Sequence, residues 1–151
     1  MKTLIRKSKI TDLNEFIFMK REYIKYFMKI SGEKSYMSNK QIKKEFLDTL
    51  KKRNSNIYIL EINKEICGFM KISLIKNRIR SFSYLEDIFV KLNNRGKGYG
   101  NLLFKEFIKI SKNKKVEKMG LGTRVENKRA ISMNKKYGFK IIGYNFGKKL
   151  K

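Results

Sequence analysis

The apolar pair Leu4-Ile5 within Thr3 to Lys7 reads as a short opening strand, and a helical period follows. Leu13, Phe16, Ile17, Tyr23, Ile24 and Phe27 recur at the spacing of one helix face, and Asp12 with Glu15 forms a capping-box pair at its start. The stretch Ser31-Gly32-Glu33-Lys34-Ser35 breaks that helix. Ser38 with Gln41 is a second capping box, opening a helix whose apolar face is Ile42, Phe46, Leu47 and Leu50. Strand-rich runs follow over 57–62 and 65–74, with Asn63-Lys64 as a two-residue hairpin turn, and over 83–90 after a basic connection at 76–80. A glycine-rich stretch at 95–100 leads into a helix with Leu102, Leu103, Phe104, Phe107, Ile108 and Ile110 apolar. Residues 119–125 read as a strand despite two glycines, and 128–137 as a short helix closed by Gly138 at a left-handed C-cap. Residues 140–144 and the final residues supply one or two closing strands.

The resulting order, β-α-α-β-β-β-α-β-α-β-β, predicts one mixed α/β domain over residues 1–151. Its core is a mostly antiparallel mixed sheet of about six to seven strands flanked by about four helices. A 41% hydrophobic content is enough for one core. The net charge of +25, from 38 basic and 13 acidic residues, attracts anions such as nucleic acid, anionic membranes and phosphorylated cofactors. Lys is spread along the whole chain without a tail, so it reads as solvated surface charge. No helix-turn-helix, zinc or RNP-type signature accompanies it, and no specific nucleic-acid partner is expected. A basic face clustered on the folded surface would revive that reading. The absence of His excludes His-based triads, imidazole bases and most zinc sites, so no metal is expected. The single cysteine, Cys67, lies in an apolar strand pattern and reads as a small core residue. With no apolar run of signal-peptide or membrane-span length, a cytoplasmic location and no membrane partner are expected.

Chemistry concentrates in Val90-Lys91-Leu92-Asn93-Asn94-Arg95-Gly96-Lys97-Gly98-Tyr99-Gly100, between a strand and a helix. Alternate glycines let several N–H groups converge, and the positive end of the helix starting near Asn101 points to the same place: an anion cradle suited to a pyrophosphate. It is neither a Walker A loop nor a dinucleotide fingerprint, since Asn101 and Leu103 stand where the latter needs glycine. What fits is Arg-x-x-Gly-x-Gly, as Arg95, Gly98 and Gly100. Residues 84–100 resemble the central acetyl-CoA motif of GNAT acetyltransferases. Asn127-x-x-Ala130 through Tyr137-Gly138-Phe139 is similar to that family's closing motif, at a spacing that suits one helix and one strand.

The resemblance implies an N-acetyltransferase using acetyl-CoA, with direct attack by an amine in a ternary complex. It implies that the Ile88-Phe89-Val90 strand end bonds the pantetheine arm. The backbone of Arg95, Gly96, Lys97, Gly98, Tyr99, Gly100 and Asn101 would hold the pyrophosphate, and Asn127 would bond the arm from the far side. The family's usual acid is a Tyr; its place is taken by Asn134, which cannot give up a proton, and Tyr137 one turn on is the substitute to consider. Glu86 reads equally as a proton acceptor through water and as a charge-balancing surface group, and Asp87 as the latter. Glu86 is similarly placed to a Glu of the polyamine acetyltransferase branch. Adjacent strand residues share a pocket only if a bulge intervenes. The acceptor is a small-molecule or peptide amine, and a homodimer is compatible with the sequence. The competing readings are a non-catalytic acyl-CoA-binding module on the same fold, for which Asn134 argues, and a basic nucleic-acid-binding protein.

Overall fold

The computed structural model describes residues 2–148 and Leu150; Lys149 and Lys151, where the last of the expected closing strand would fall, lie outside the described residues. The elements are β1 (Thr3–Lys7), α1 (Leu13–Ser31), α2 (Asn39–Lys51), β2 (Ser55–Ile62), β3 (Glu65–Lys76), β4 (Ser81–Val90), α3 (Tyr99–Asn113), β5 (Lys118–Leu121) and α4 (Lys128–Lys136). One sheet runs in the order β1-β2-β3-β4-β5. The first four strands pair antiparallel and β5 joins β4 in parallel. A parallel pair needs a crossover, and α3 supplies it.

Local chemistry accounts for most element ends. Gly32 closes α1 at φ +68°, where a side chain is disfavoured. The Ser38 hydroxyl accepts from the Gln41 N–H, and the Gln41 side chain accepts from the Ser38 N–H, the reciprocal box that starts α2. Asn63 and Lys64 both take positive φ, as a tight hairpin turn between β2 and β3 requires. The Asp12–Glu15 box does not form. Asp12 is drawn to the Arg6 guanidinium, at 2.8 and 2.9 Å, and to the Lys9 N–H, while Glu15 pairs with Lys91.

α1 and α2 cover one face of the sheet, where the Phe16 ring lies 5.0 Å from both Phe46 and Phe69. α3 covers the other, setting Leu103, Phe104 and Phe107 against Leu60, Met70, Ile72 and Leu85. Cys67 is buried in this second core, and burial pushes its thiol up.

Between β3 and β4, Lys71 faces Asp87 while Ile72 faces Leu85, so Glu86 is an unopposed extra residue. The bulge inverts the alternation of β4. Before it, Ser83 and Leu85 turn to α3, with the Ser83 hydroxyl 2.7 Å from that of Ser111; after it, Phe89 joins the α1–α2 core and Asp87 reaches Lys20 of α1.

Two expectations need correction. Among the described residues the sheet has five strands, not six to seven. Ile142, Tyr144 and Phe146 alternate as strand residues would, yet all three are at least 74% exposed. Strand preference is realised only against a partner and a buried face, and this segment has neither. β5 is also shorter than 119–125: its pairing with β4 stops at Leu121. Its glycines let β4 rings cross it, since a Cβ on Gly120 would come 2.7 Å from the Phe82 ring.

Candidate active site

β4 outlasts its parallel partner. Leu85 pairs with Leu121, and residues 86–90 continue with no strand on that side among the described residues. The Lys91 N–H donates to the Cys67 carbonyl at 2.9 Å, which fixes the phase of the antiparallel bonds with β3. Phe89 and Lys91 therefore turn their peptide groups to β3, and Ile88 and Val90 turn theirs outward, into a notch. Of the expected cofactor contacts on this strand, Phe89 is the one turned away from the notch. Its side chain is buried in the α1–α2 core and its peptide groups serve the sheet.

The glycine loop stands at the end of the notch. Gly96 and Gly98 adopt φ +79° and +81°, and a Cβ on either would meet no atom within 4 Å. That conformation turns neighbouring N–H groups to a common point. Gly98 is the N-cap of α3 and no side chain caps the helix; its first intrahelical bond is from the Leu102 N–H to the Gly98 carbonyl. Gly100 and Asn101 stand in that first turn, where the helix end is electropositive and open. Lys97 is exposed beside it, while the Tyr99 ring is buried in the α3 core. The Arg95 side chain is engaged within the protein. Its Nε donates to the Val90 carbonyl at 2.9 Å, and the guanidinium lies 4.1 Å above the Tyr26 ring. It ties the loop to β4 and α1.

The α4 side departs further from the expected roles. Asn127 caps α4, its Oδ1 accepting from the Ala130 N–H at 3.1 Å, so its oxygen is engaged within the protein. Asn134 Nδ2 donates to the Thr123 hydroxyl at 2.9 Å, bridging α4 to the loop after β5. Tyr137 stacks on Phe104 at 4.9 Å and its hydroxyl donates to Asn101 Oδ1 at 3.3 Å. Asn134 and Tyr137 thus point to different partners, and Tyr137 braces α4 on the start of α3.

The bulge brings Glu86 and Asp87 together on the α1–α2 face, in a network that sequence reasoning missed. Lys20 Nζ lies 2.6 Å from Asp87 and 3.2 Å from Glu45. Lys71 lies 3.0 Å from Glu45 and 2.8 Å from Glu86, which also accepts from the Ser73 hydroxyl. Burial pushes the Glu86 carboxyl up, but the bonds from Lys71 and Ser73 outweigh it and hold it below the ordinary carboxylate range. Burial, with the Asp87 charge and hydrogen bond, pushes the Tyr23 hydroxyl far above its usual value. Asp87 is therefore not the solvent-facing carboxylate expected; its side chain is 12% exposed. A signal for the network was present in α1, where Lys20 falls four residues from both Phe16 and Ile24 on the buried stripe.

The model of the acetyltransferase (GNAT) family matches residues 18–139, and the chain belongs to that family. An uncharacterized N-acetyltransferase of Methanocaldococcus jannaschii is 30% identical over an alignment of 142 residues that covers 89% of this chain and 59% of that protein, so the chain spans under two thirds of this relative's length. Among solved structures, a tetramutant of the BH1408 protein from Bacillus halodurans has the same fold, with a TM-score of 0.85 at 21% identity, over 97% of this chain and 99% of that one. An aminoglycoside N-acetyltransferase, AAC(6')-Iy, solved in complex with CoA, gives 0.76 at 16% identity, over 99% and 95%.

Proposed function

We propose that the chain is an acetyl-CoA-dependent N-acetyltransferase whose acceptor is a small-molecule or peptide amine. The observation that carries this reading is the meeting of two features at one place. A strand edge that no neighbouring strand covers, offering the Ile88 peptide and the Val90 N–H, runs up to a glycine loop that feeds a helix with no side-chain cap among the described residues. A pantetheine arm is an extended chain with two amides, which suits the strand edge; a pyrophosphate suits converging N–H groups with open space before them. The residues present therefore fit CoA. Its thioester supplies the activated acetyl group.

The protein's own part is binding and orientation. The Val90 N–H and the Ile88 peptide hold the arm in register. The N–H groups from Gly96 to Asn101 hold the pyrophosphate, with Lys97 adding a point charge. Positioning of this kind removes much of the entropic barrier to a two-substrate reaction. Glu86 is ionised at neutral pH and too weakly basic to serve well as a proton acceptor, so it acts through its charge. The ammonium gives one proton to solvent before attack, the C–N bond forms as the C–S bond breaks, the nitrogen gives up a second proton to solvent, and the departing thiolate takes a proton from water.

The test is a thermal-shift titration. Acetyl-CoA and free CoA should stabilise the protein nearly equally, because the grip is on the pyrophosphate. No response to either at millimolar levels would sink the reading. Thiol release with acetyl-CoA and an amine panel then tests turnover. A second reading, a non-catalytic acyl-CoA-binding module, is favoured by the Asn134–Thr123 bond. A normal CoA shift with background thiol release across the panel would select it.

A further inference from the structure

The end of the sheet opposite the notch gathers cations that are far apart in sequence. β1 stops at Lys7, with Lys9 just beyond. α2 runs out into Lys51, Lys52 and Arg53. The β3–β4 hairpin carries Lys76, Arg78 and Arg80, and the turn from α3 to β5 carries Lys112, Lys114, Lys115 and Lys118. Backbone bonds set these segments side by side. The Ser8 N–H donates to Ile57, the Leu74 N–H to Asn54, and the Glu117 N–H to Ser81. The cations therefore form one row across the sheet, roughly 20 Å wide at strand spacing. All are exposed, and among the described residues none has a carboxylate within 4.0 Å. At the notch end Arg124 is answered by Glu33 and Lys91 by Glu15, while Lys34, Lys40 and Lys97, among the described residues, likewise have no carboxylate within 4.0 Å. Lys51, Lys52, Lys112 and Lys114 offset the negative ends of α2 and α3. The hairpin cations stand at no helix end, so that explanation does not reach them.

Two further observations point to the partner. A hollow of about 370 Å³ between the end of β1 and the end of α2 is lined by residues that include Lys7, Ser8, Thr49, Lys52, Arg53 and Asn56, a set suited to a phosphate. Exposed aliphatic side chains share this end: Ile79, 89% exposed at the hairpin tip, with Ile10, Leu50 and Ile75. The exposed aromatic rings, Phe18, Tyr36, Tyr144 and Phe146, belong to α1, the α1–α2 loop and the last segment of the chain. Bases of single-stranded nucleic acid stack on aromatic rings, whereas aliphatic groups ringed by cations suit a lipid surface.

We propose that this end docks on an anionic lipid bilayer. Ile79 enters the headgroup layer, Arg78 and Arg80 meet lipid phosphates beside it, and the hollow by Lys7 takes a headgroup phosphate. No helix among the described residues is long and apolar enough to cross a membrane, and the contact is peripheral. The notch lies at the other end of β4, roughly 30 Å away, and stays open to water. The expectation of no membrane partner rested on the lack of a long apolar run and on evenly spread Lys; the fold brings twelve of the 38 basic side chains to one end.

The test is co-sedimentation of the full chain with phosphatidylglycerol–phosphatidylcholine vesicles, against phosphatidylcholine vesicles, near 0.1 M salt by the usual scale of screening. Binding should be confined to the anionic vesicles. Arg78→Glu with Arg80→Glu should weaken it at least about tenfold, and Ile79→Ser several-fold. Lys34→Glu with Lys40→Glu makes the same charge change at the notch end and should bind like the parent. Equal loss in both double variants would overturn the proposal, because net charge alone would then explain binding. Tighter binding to a single-stranded RNA than to the vesicles, lost in the Arg78/Arg80 variant, would overturn it in favour of nucleic acid. Melting temperatures equal to the parent's show that the losses are not unfolding.

Discussion

The two faces of the sheet are covered alike by helices and hold different chemistry. Against α3 the core is mainly apolar: Leu103, Phe104 and Phe107 meet aliphatic side chains, and the buried Ser83 and Ser111 hydroxyls satisfy each other. Against α1 and α2 a cluster of Phe rings stands beside Lys20, Glu45, Lys71, Glu86 and Asp87. The difference begins at one extra residue. Without the bulge at Glu86, Asp87 would point into the α3 core and have no lysine to meet. The charges are thus placed where β4 leaves β5, at the site, while the α3 face is scaffold.

The largest effect should come from the scaffold face. Phe107→Ala removes a fully buried ring and should cost about 3–5 kcal/mol in denaturant unfolding. A loss below about 1 kcal/mol would show that this face does not carry the fold. On the charged face the outcome depends on what is left behind. Lys20→Met strands Asp87 and should cost about 3 kcal/mol, because one partner of a buried pair is worse than none. Adding Asp87→Leu should recover a good part of that loss. A double variant whose cost is the sum of the two singles would break the comparison, since the network would then be no network.

Gly98→Val comes next, at about 1–3 kcal/mol for a β-branched residue held at positive φ. Nothing lies within 4 Å of its Cβ, so the domain should fold. The side chain would occupy the space before the cradle, and the CoA thermal shift should vanish. A shift equal to the parent's would make the loop a mere connection.

Glu86→Gln is a smaller effect with a pH signature. The folded carboxyl sits below its ordinary range, so its contribution is present above the unfolded value of about 4.3 and is lost as pH falls through the lower folded value. The variant should melt below the parent at neutral pH, with the gap closing under about pH 4. A gap that stays constant into acid would remove the Lys71–Glu86 pair from the account. The same ionisation implies that turnover falls by a similar factor across neutral and alkaline pH, as loss of a fixed charge would give. A loss confined to low pH would restore Glu86 as a proton acceptor.

Much of this architecture was legible in the chain. The helix faces of α1, α2 and α3, the Ser38 box, the Asn63-Lys64 turn and the glycine cradle are local, and local chemistry is what a single sequence displays. The bulge is a property of register between two strands, and neither strand's pattern contains it. The Lys20–Asp87 bond joins residues 67 apart, and only the packing of α1 on β4 brings them together. Residues 140–148 misled for the converse reason: their alternation is real, and no partner strand receives it. Evenly spread lysines become a patch only when four chain segments end at one edge.

The smallest effect concerns the missing acid. Asn134→Tyr should raise turnover a few-fold, and Tyr137→Phe should change it little. Asn134 stands on α4 and donates to Thr123, two residues after the end of β5, so a longer side chain there extends toward the loop that follows β5. A phenol with a pKa near 10 is protonated at neutral pH and can give its proton to a departing thiolate; an amide cannot. General acid help is worth roughly 10²–10⁴-fold in favourable cases, and a thiolate leaves well without it, which keeps the gain small. Tyr137 is committed elsewhere, its ring on Phe104 and its hydroxyl on Asn101. Its loss should therefore appear as a slightly lower melting temperature rather than in the rate. A Tyr137→Phe variant that melts like the parent and has lost most of its turnover would reverse this assignment, and would put the proton donor at the start of α3 instead of beside Thr123.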